Sequence, residues 1–170
     1  MTKIGFLITN LGTPASTDVA DVRAYLREFL LDPYVVDLPK PLRQLLVNAV
    51  ILPFRPKKSA HAYAAIWTER GSPLMLHSED LLAKLRTRLP GPVELAMRYG
   101  QPSIEQALHN LRAQEVQQVI AVPLYPQYAD STVTTTIDAI ERLNPGPLSF
   151  EFITAFFDDK AYLDDQAQFI

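Results

Sequence analysis

The residues of this chain that could do chemistry fall in a few short stretches. The richest, Val119 to Thr136, reads VIAVPLYPQYADSTVTTT. A β-branched run stops at Pro123 and gives way to Tyr125, Pro126, Tyr128 and the hydroxyl cluster Ser131, Thr132, Thr134, Thr135 and Thr136. A buried parallel strand has that β-branched character. In open α/β sheets, ligands bind in the crevice at the carboxyl ends of strands, so this rigid, aromatic, hydroxyl-rich strand end is the first candidate site.

Arg98, in AMRYGQPS, emerges from an apolar strand beside Tyr99 and just before a helix start. A guanidinium in that setting needs an anionic partner, because an unpaired buried charge is costly. An internal carboxylate and a bound ligand both satisfy that need. The position favours a ligand, since Arg98, Tyr125 and the NLGTP turn (Asn10 to Pro14) would share the carboxyl edge of neighbouring strands. NLGTP itself has one glycine and no lysine, too little for a dinucleotide fingerprint or a P-loop, so Gly12 and Pro14 read as closing a tight turn. His61, His77 and His109 each fall inside an expected helix without converging ligands and read as structural or surface histidines. No Ser/His/Asp triad or G-x-S-x-G elbow is legible. Asp158 and Asp159 read as a helix N-terminus rather than an acid/base pair.

The elements that must position these groups alternate. Lys3 to Thr9 reads as a strand apolar on both sides and so central in a sheet. A helix opens at Ser16, Thr17 or Asp18, carries Val22, Tyr25, Leu26, Phe29 and Leu30 on one stripe, and ends at Asp32-Pro33. A proline-rich segment from Tyr34 to Pro56 follows, with Leu42 to Phe54 nearly apolar all round in its second half; such a helix must be covered by protein, ligand or a membrane interface. Lys57 to Trp67 reads as a separate helix. Ser72-Pro73 caps another, bearing Leu74, Leu81, Leu85 and Leu89. Val93 to Tyr99 and Gln118 to Leu124 read as strands, with a helix between them opened by a Ser103/Gln106 capping box. A helix from about Thr132 to Leu143 stops at Asn144-Pro145-Gly146-Pro147, and Leu148 to Thr154 is a fourth strand. The alternation predicts an α/β fold with a doubly wound, parallel, four-stranded sheet. A last helix begins at Asp158, with acids in its first turn, and runs to Phe169-Ile170. Ending there in mid-helix gives the expectation that the chain, residues 1–170, is one lobe cut before a second.

With 170 residues, 48% of them hydrophobic and a net charge of −3, the composition fits one globular domain with a sizeable core and no basic face for nucleic acid. The absence of cysteine excludes a disulfide, a thiolate metal site and a thiol nucleophile within this sequence. Leu45 to Phe54, broken by Asn48 and Pro53, is far short of the roughly 20 residues that span a bilayer. A soluble, cytoplasmic protein is expected.

Taken in order, NLGTP at 10–14, FLLDPYVVD at 29–37, Tyr63 followed by IW, GSPL at 71–74, MRYGQPS at 97–103 and PLYPQYADST at 123–132 resemble the amino-terminal half of ferrochelatase. The resemblance implies a Rossmann-like chelatase lobe that helps to insert Fe²⁺ into protoporphyrin IX, with iron as a substrate and no permanently bound cofactor. That chemistry asks for an apolar cleft, groups to hold the propionates, distortion of the macrocycle and a base for the pyrrole protons. By motif position Arg55, Tyr63 and Ser72 match porphyrin-binding residues, and Leu11 matches an apolar position facing the macrocycle. Arg98, Tyr99, Tyr125 and Ser131 match residues lining the same cleft. The segment Tyr34 to Phe54 corresponds to a lip over the cleft mouth, and Leu42 to Phe54 within it to a peripheral membrane contact. The family's histidine base lies beyond this sequence, so no catalytic residue is carried over. Asp130 stands where some members have a cluster-ligating cysteine, so no 2Fe-2S cluster is expected. Two other readings remain at this point: a porphyrin-binding half without turnover, and a flavodoxin-like nucleotide-binding module.

Overall fold

The computed structural model describes residues 2–144 and 146–168. Its centre is a four-stranded sheet of β1 (Ile4–Gly12), β2 (Val93–Tyr99), β3 (Gln118–Pro123) and β4 (Ser149–Phe152), in the order β2-β1-β3-β4. Each neighbouring pair is parallel. This is the expected doubly wound α/β architecture, with the first strand inside the sheet. The chain moves from β1 to one neighbour and then crosses to the other, so the winding reverses between β1 and β3. A crevice opens at the carboxyl ends of the strands at such a reversal.

The strands alternate as a two-faced sheet requires. Leu7, Ala96, Val119 and Ala121 pack with Ile104, Leu108 and Leu111 of α5 (Ile104–Ala113) and Ile140 of α6 (Thr135–Arg142). Ile8, Leu95 and Met97 turn the other way and meet Leu74, Leu82 and Leu85 of α4 (Pro73–Arg86). Each of the fully buried Leu, Ile, Val and Met side chains among these contributes about 1.5–3 kcal/mol of apolar burial. A third cluster sits over the carboxyl edge. There α1 (Val19–Leu30) and α3 (Leu52–Ile66) enclose Val22, Tyr25, Leu26, Leu52, Ala60 and Tyr99.

Several boundaries differ from expectation. β1 continues through Asn10 and Leu11 to Gly12, pairing Asn10 with Met97 and Gly12 with Tyr99, so half of the expected NLGTP turn is strand. Gly12 has φ +107°, and a Cβ there would lie 1.8 Å from the Tyr99 carbonyl oxygen, so close backbone approach requires this glycine. The expected break between residues 56 and 57 is absent. α2 (Lys40–Leu45), a π-helical turn (Leu46–Ile51) and α3 follow without interruption. Pro53 has no N–H to continue the i→i−4 ladder, and the turn before it widens to the π register instead of ending.

Caps also differ. Ser72 occupies the N-cap of α4, but its hydroxyl accepts from Thr13 Oγ1 at 2.9 Å instead of capping the helix. Ser103 does cap α5, accepting from Gln106 N at 3.2 Å, yet Gln106 reaches Asn110 rather than closing the box. The last helix, α7 (Lys160–Ala167), has no acid in its first turn; Asp159 is its N-cap and accepts from Tyr162 N. The expected end at Phe169-Ile170, and Pro145 in the preceding loop, lie outside the described residues.

Candidate functional site

The carboxyl edge of β1, β2 and β3 carries most of the residues singled out above. Leu11 lies between the Asn10–Met97 and Gly12–Tyr99 pairs, level with Arg98 of the adjacent strand. It packs into the cluster that also holds Tyr25, Tyr63, Tyr99 and Phe29. The aromatic rings interlock: Tyr25 is edge-on to Tyr63 at 6.4 Å, Phe29 is edge-on to Tyr99 at 5.2 Å, and Tyr63 is edge-on to Trp67 at 6.3 Å. Tyr125 follows β3, which is anchored beside β1 by Leu124 N donating to Thr9 O. Its buried hydroxyl has no hydrogen-bond partner.

Burial sets the proton chemistry of this surface. It pushes the Tyr125 phenol up to about 12, with the Arg98 charge drawing it partly back. Burial likewise raises Tyr25, Tyr63 and Tyr99 above the ordinary phenol value. All four phenols are therefore neutral near pH 7 and hold their protons. They offer apolar faces and hydroxyl dipoles, not a base.

Arg98 is held by an internal partner that sequence reasoning passed over. Its guanidinium forms an ion pair with Asp32 at 2.5 Å, with the two side chains only 14% and 2% exposed. The same Asp32 oxygen accepts from Tyr99 Oη at 2.9 Å and from Thr135 Oγ1. Arg98 Nε donates in turn to Thr135 Oγ1 and to its carbonyl oxygen. The other Asp32 oxygen accepts from the Tyr34 amide at 2.8 Å. The ion pair foreseen as one of two partners for Arg98 is thus present, and it closes into a network joining the end of α1, the end of β2 and the start of α6. Arg98 also lies 4.5 Å over the Tyr99 ring and borders a hollow of about 140 Å³ with Glu28 and Ser103.

Asp32 was legible only as a helix stop before Pro33. The signal that could have found it is the carboxylate demanded by Arg98. Tyr25 was read as helix stripe; its hydroxyl in fact donates to Gly12 O at 3.2 Å. Thr13 was read as turn, yet it pairs with Ser72. That hydroxyl pair borders a cavity of about 320 Å³ which also includes Tyr25, Trp67, Arg70 and Gln101.

Two expected residues are exposed instead of packed into the aromatic cluster. Arg55 is exposed on α3, beside an open hollow of about 620 Å³ lined by Val50, Ile51, Phe54, Lys58 and Ala62. Ser131 is exposed in the π-helical turn Asp130–Thr134; it is Thr135 and Thr136 of the same hydroxyl cluster that are buried. The apolar side of residues 42–54 stands open to solvent at Leu42, Leu45, Val50 and Phe54, the last 78% exposed. His61, His77 and His109 are all exposed, the surface alternative of the two read from the sequence. Among the described residues there is no cluster of potential metal ligands and no helix long and apolar enough to cross a membrane.

A wall of neutral phenols around a closed ion pair, at the winding reversal of a parallel sheet, fits the resemblance noted in the sequence. Known proteins carry the same pattern. A sequence profile described as "Ferrochelatase" matches residues 3–170. A ferrochelatase of Ectopseudomonas mendocina (strain ymp) is 53% identical over 168 residues, covering 96% of this chain and 49% of the relative. Ferrochelatases of Stutzerimonas stutzeri (strain A1501) and Pseudomonas fluorescens biotype C are 52% and 51% identical over the same length, with the same coverage. The chain spans about half the length of these curated relatives. With a profile match over nearly every residue and identity above half, it belongs to the ferrochelatase family.

Proposed function

We propose that the full-length protein inserts ferrous iron into protoporphyrin IX to form haem, and that this chain is its amino-terminal lobe, supplying one wall of the porphyrin cleft. The observation that carries the reading is the half-buried surface of Leu11, Tyr63 and Tyr125, backed by the buried Tyr99: apolar, aromatic and uncharged at physiological pH, since a phenol ordinarily titrates at about 10 and burial raises these further. A macrocycle can lie on such a surface without stripping water from an unpaired charge. Ser72, fixed by Thr13, is the hydroxyl for one propionate, and Arg55 at the open end of α3 is the cation for the other. Tyr125 Oη, buried without a partner, is free to meet a polar edge of the ligand. Arg98 supports the wall through Asp32 and Thr135, and Ser131 borders the cleft from its exposed turn.

The aromatic wall contains no histidine, and the buried carboxylate behind it, Asp32, is already occupied by Arg98, Tyr99, Thr135 and the Tyr34 amide. The base that takes the two pyrrole protons therefore belongs to the part of the protein outside this chain, and Fe²⁺ enters as substrate. This chain supplies no cysteine for a 2Fe-2S cluster. The open apolar residues Leu42, Leu45, Val50 and Phe54 support a cytoplasmic protein that touches a membrane surface at the cleft lip. Nothing favours a nucleotide at the β1 turn, where Gly12 is required by backbone packing alone.

The test is metal insertion. Full-length protein mixed with protoporphyrin IX and Fe²⁺ or Zn²⁺ should convert the free-base spectrum to that of the metalloporphyrin, while residues 1–170 alone should not turn over. Turnover by residues 1–170 would overturn the assignment of the base to the other half. Saturable FMN or ATP binding by the full-length protein with no porphyrin-induced shift in the Soret band would overturn the tetrapyrrole reading.

A further inference from the structure

We propose that Asp32 is a positioning residue that sets substrate specificity: it neutralises Arg98, so the inner wall of the cleft stays uncharged and does not capture a substrate carboxylate. The inference rests on the porphyrin reading above. Arg98 would otherwise be well placed for such capture. It stands level with Leu11 at the carboxyl edge of the sheet, with its charge reaching Tyr125. A guanidinium there, free to use its donors, would bind a carboxylate through charge-assisted hydrogen bonds and draw a propionate into the space intended for the ring.

The structure commits two of the three guanidinium nitrogens to internal acceptors and sets a carboxylate against the charge. One terminal nitrogen of Arg98, Nη2, is held by Asp32, and Nε is shared between the hydroxyl and carbonyl oxygens of Thr135. Tyr99 closes the arrangement by donating to the same Asp32 oxygen and presenting its ring under the guanidinium. The Asp32 side chain is 2% exposed, so it contributes through Arg98 and not by touching a ligand. With the inner wall neutral, the only cation left to select carboxylates among the proposed site residues is Arg55 at the mouth.

The test compares, in the full-length protein, the affinities for protoporphyrin IX and for its dimethyl ester, which has the same ring without the negative charges. Asp32→Asn keeps the shape of the side chain and uncovers the Arg98 charge. The diacid-to-diester affinity ratio should then rise by about tenfold or more, the factor one charge-assisted hydrogen bond supplies. Arg98→Met uncovers the Asp32 charge instead, and the ratio should fall. The double variant Asp32→Asn/Arg98→Met restores a neutral wall and should bring the ratio back to within about threefold of wild type. A pair that only supports the fold would lower both affinities together and leave the ratio unmoved in every variant, which would overturn the proposal. If one single variant does not fold, the other carries the opposite-signed prediction. If neither folds, Thr135→Val, which removes the hydroxyl that both occupies Arg98 Nε and donates to Asp32, should raise the ratio, and an unmoved ratio overturns the proposal. Wild-type protein that binds neither compound would refute the porphyrin reading itself; binding with a charge-independent ratio refutes only this inference.

Discussion

Removing the hydroxyl of Thr135 would leave two buried charges short of a partner, because that oxygen both donates to Asp32 and accepts from Arg98. Thr135→Val should cost about 1–3 kcal/mol, read as a lower urea midpoint with an unchanged m-value. Tyr125 should behave in the opposite way. Its buried hydroxyl has no partner to lose, so Tyr125→Phe should leave the midpoint near pH 7 unchanged or raise it. The same phenol predicts a pH dependence. Its folded pKa of about 12 lies above the unfolded value of about 10, so the stability it contributes is complete below pH 10 and is lost as pH rises through 12. Urea midpoints measured across that window should fall less steeply in Tyr125→Phe than in wild type.

At the scale of elements, the tightest backbone approach in the site is that of β1 to β2 at Gly12. Gly12→Ala should separate the strand ends and cost about 2–4 kcal/mol, checked by chemical denaturation. The strands were legible in the sequence because runs such as Leu95 to Met97 and Val119 to Val122 are β-branched or apolar and are followed by glycine or proline signals. The α5 start was legible because Ser103 is a local cap whose acceptor role needs nothing from the rest of the fold. What was not legible is what depends on distant partners. Ser72 looks like a cap until Thr13, 59 residues away, takes its hydroxyl. Asp32 looks like a helix stop until Arg98 and Thr135, 66 and 103 residues on, reach it. The π-helical turn before Pro53 has no hydrophobic period of its own, so the sequence reads as two helices where the chain forms one continuous rod. The candidate site was therefore visible as a set of residue types and strand ends, while its internal wiring was not.

At the scale of the whole molecule, the protein presents two contrasting surfaces. The carboxyl edge of the sheet is an aromatic wall backed by a closed ion-pair network, and the outer side of residues 42–54 is apolar surface left open. If that open side meets lipid, full-length protein should co-sediment with phospholipid vesicles. The change Phe54→Glu, together with Leu45→Glu, should abolish sedimentation while leaving the urea midpoint within about 0.5 kcal/mol, since both side chains are already solvated. Equal sedimentation of the variant would remove this face from the membrane assignment.

The two oxygens of Asp32 look in different directions, one to the wall and one to the Tyr34 amide at the root of the lip. Tyr34 lies in an irregular stretch, where amides ordinarily exchange with deuterium almost as fast as in a free peptide. Here it donates to one oxygen of a carboxylate whose other oxygen holds Arg98, Tyr99 and Thr135, so a rotation of that carboxylate releases all four together. The deuterium uptake of this single loop amide thus becomes a clock for the opening of the entire wall. It should slow when a ligand settles on the tyrosines, even though the ligand never touches Tyr34.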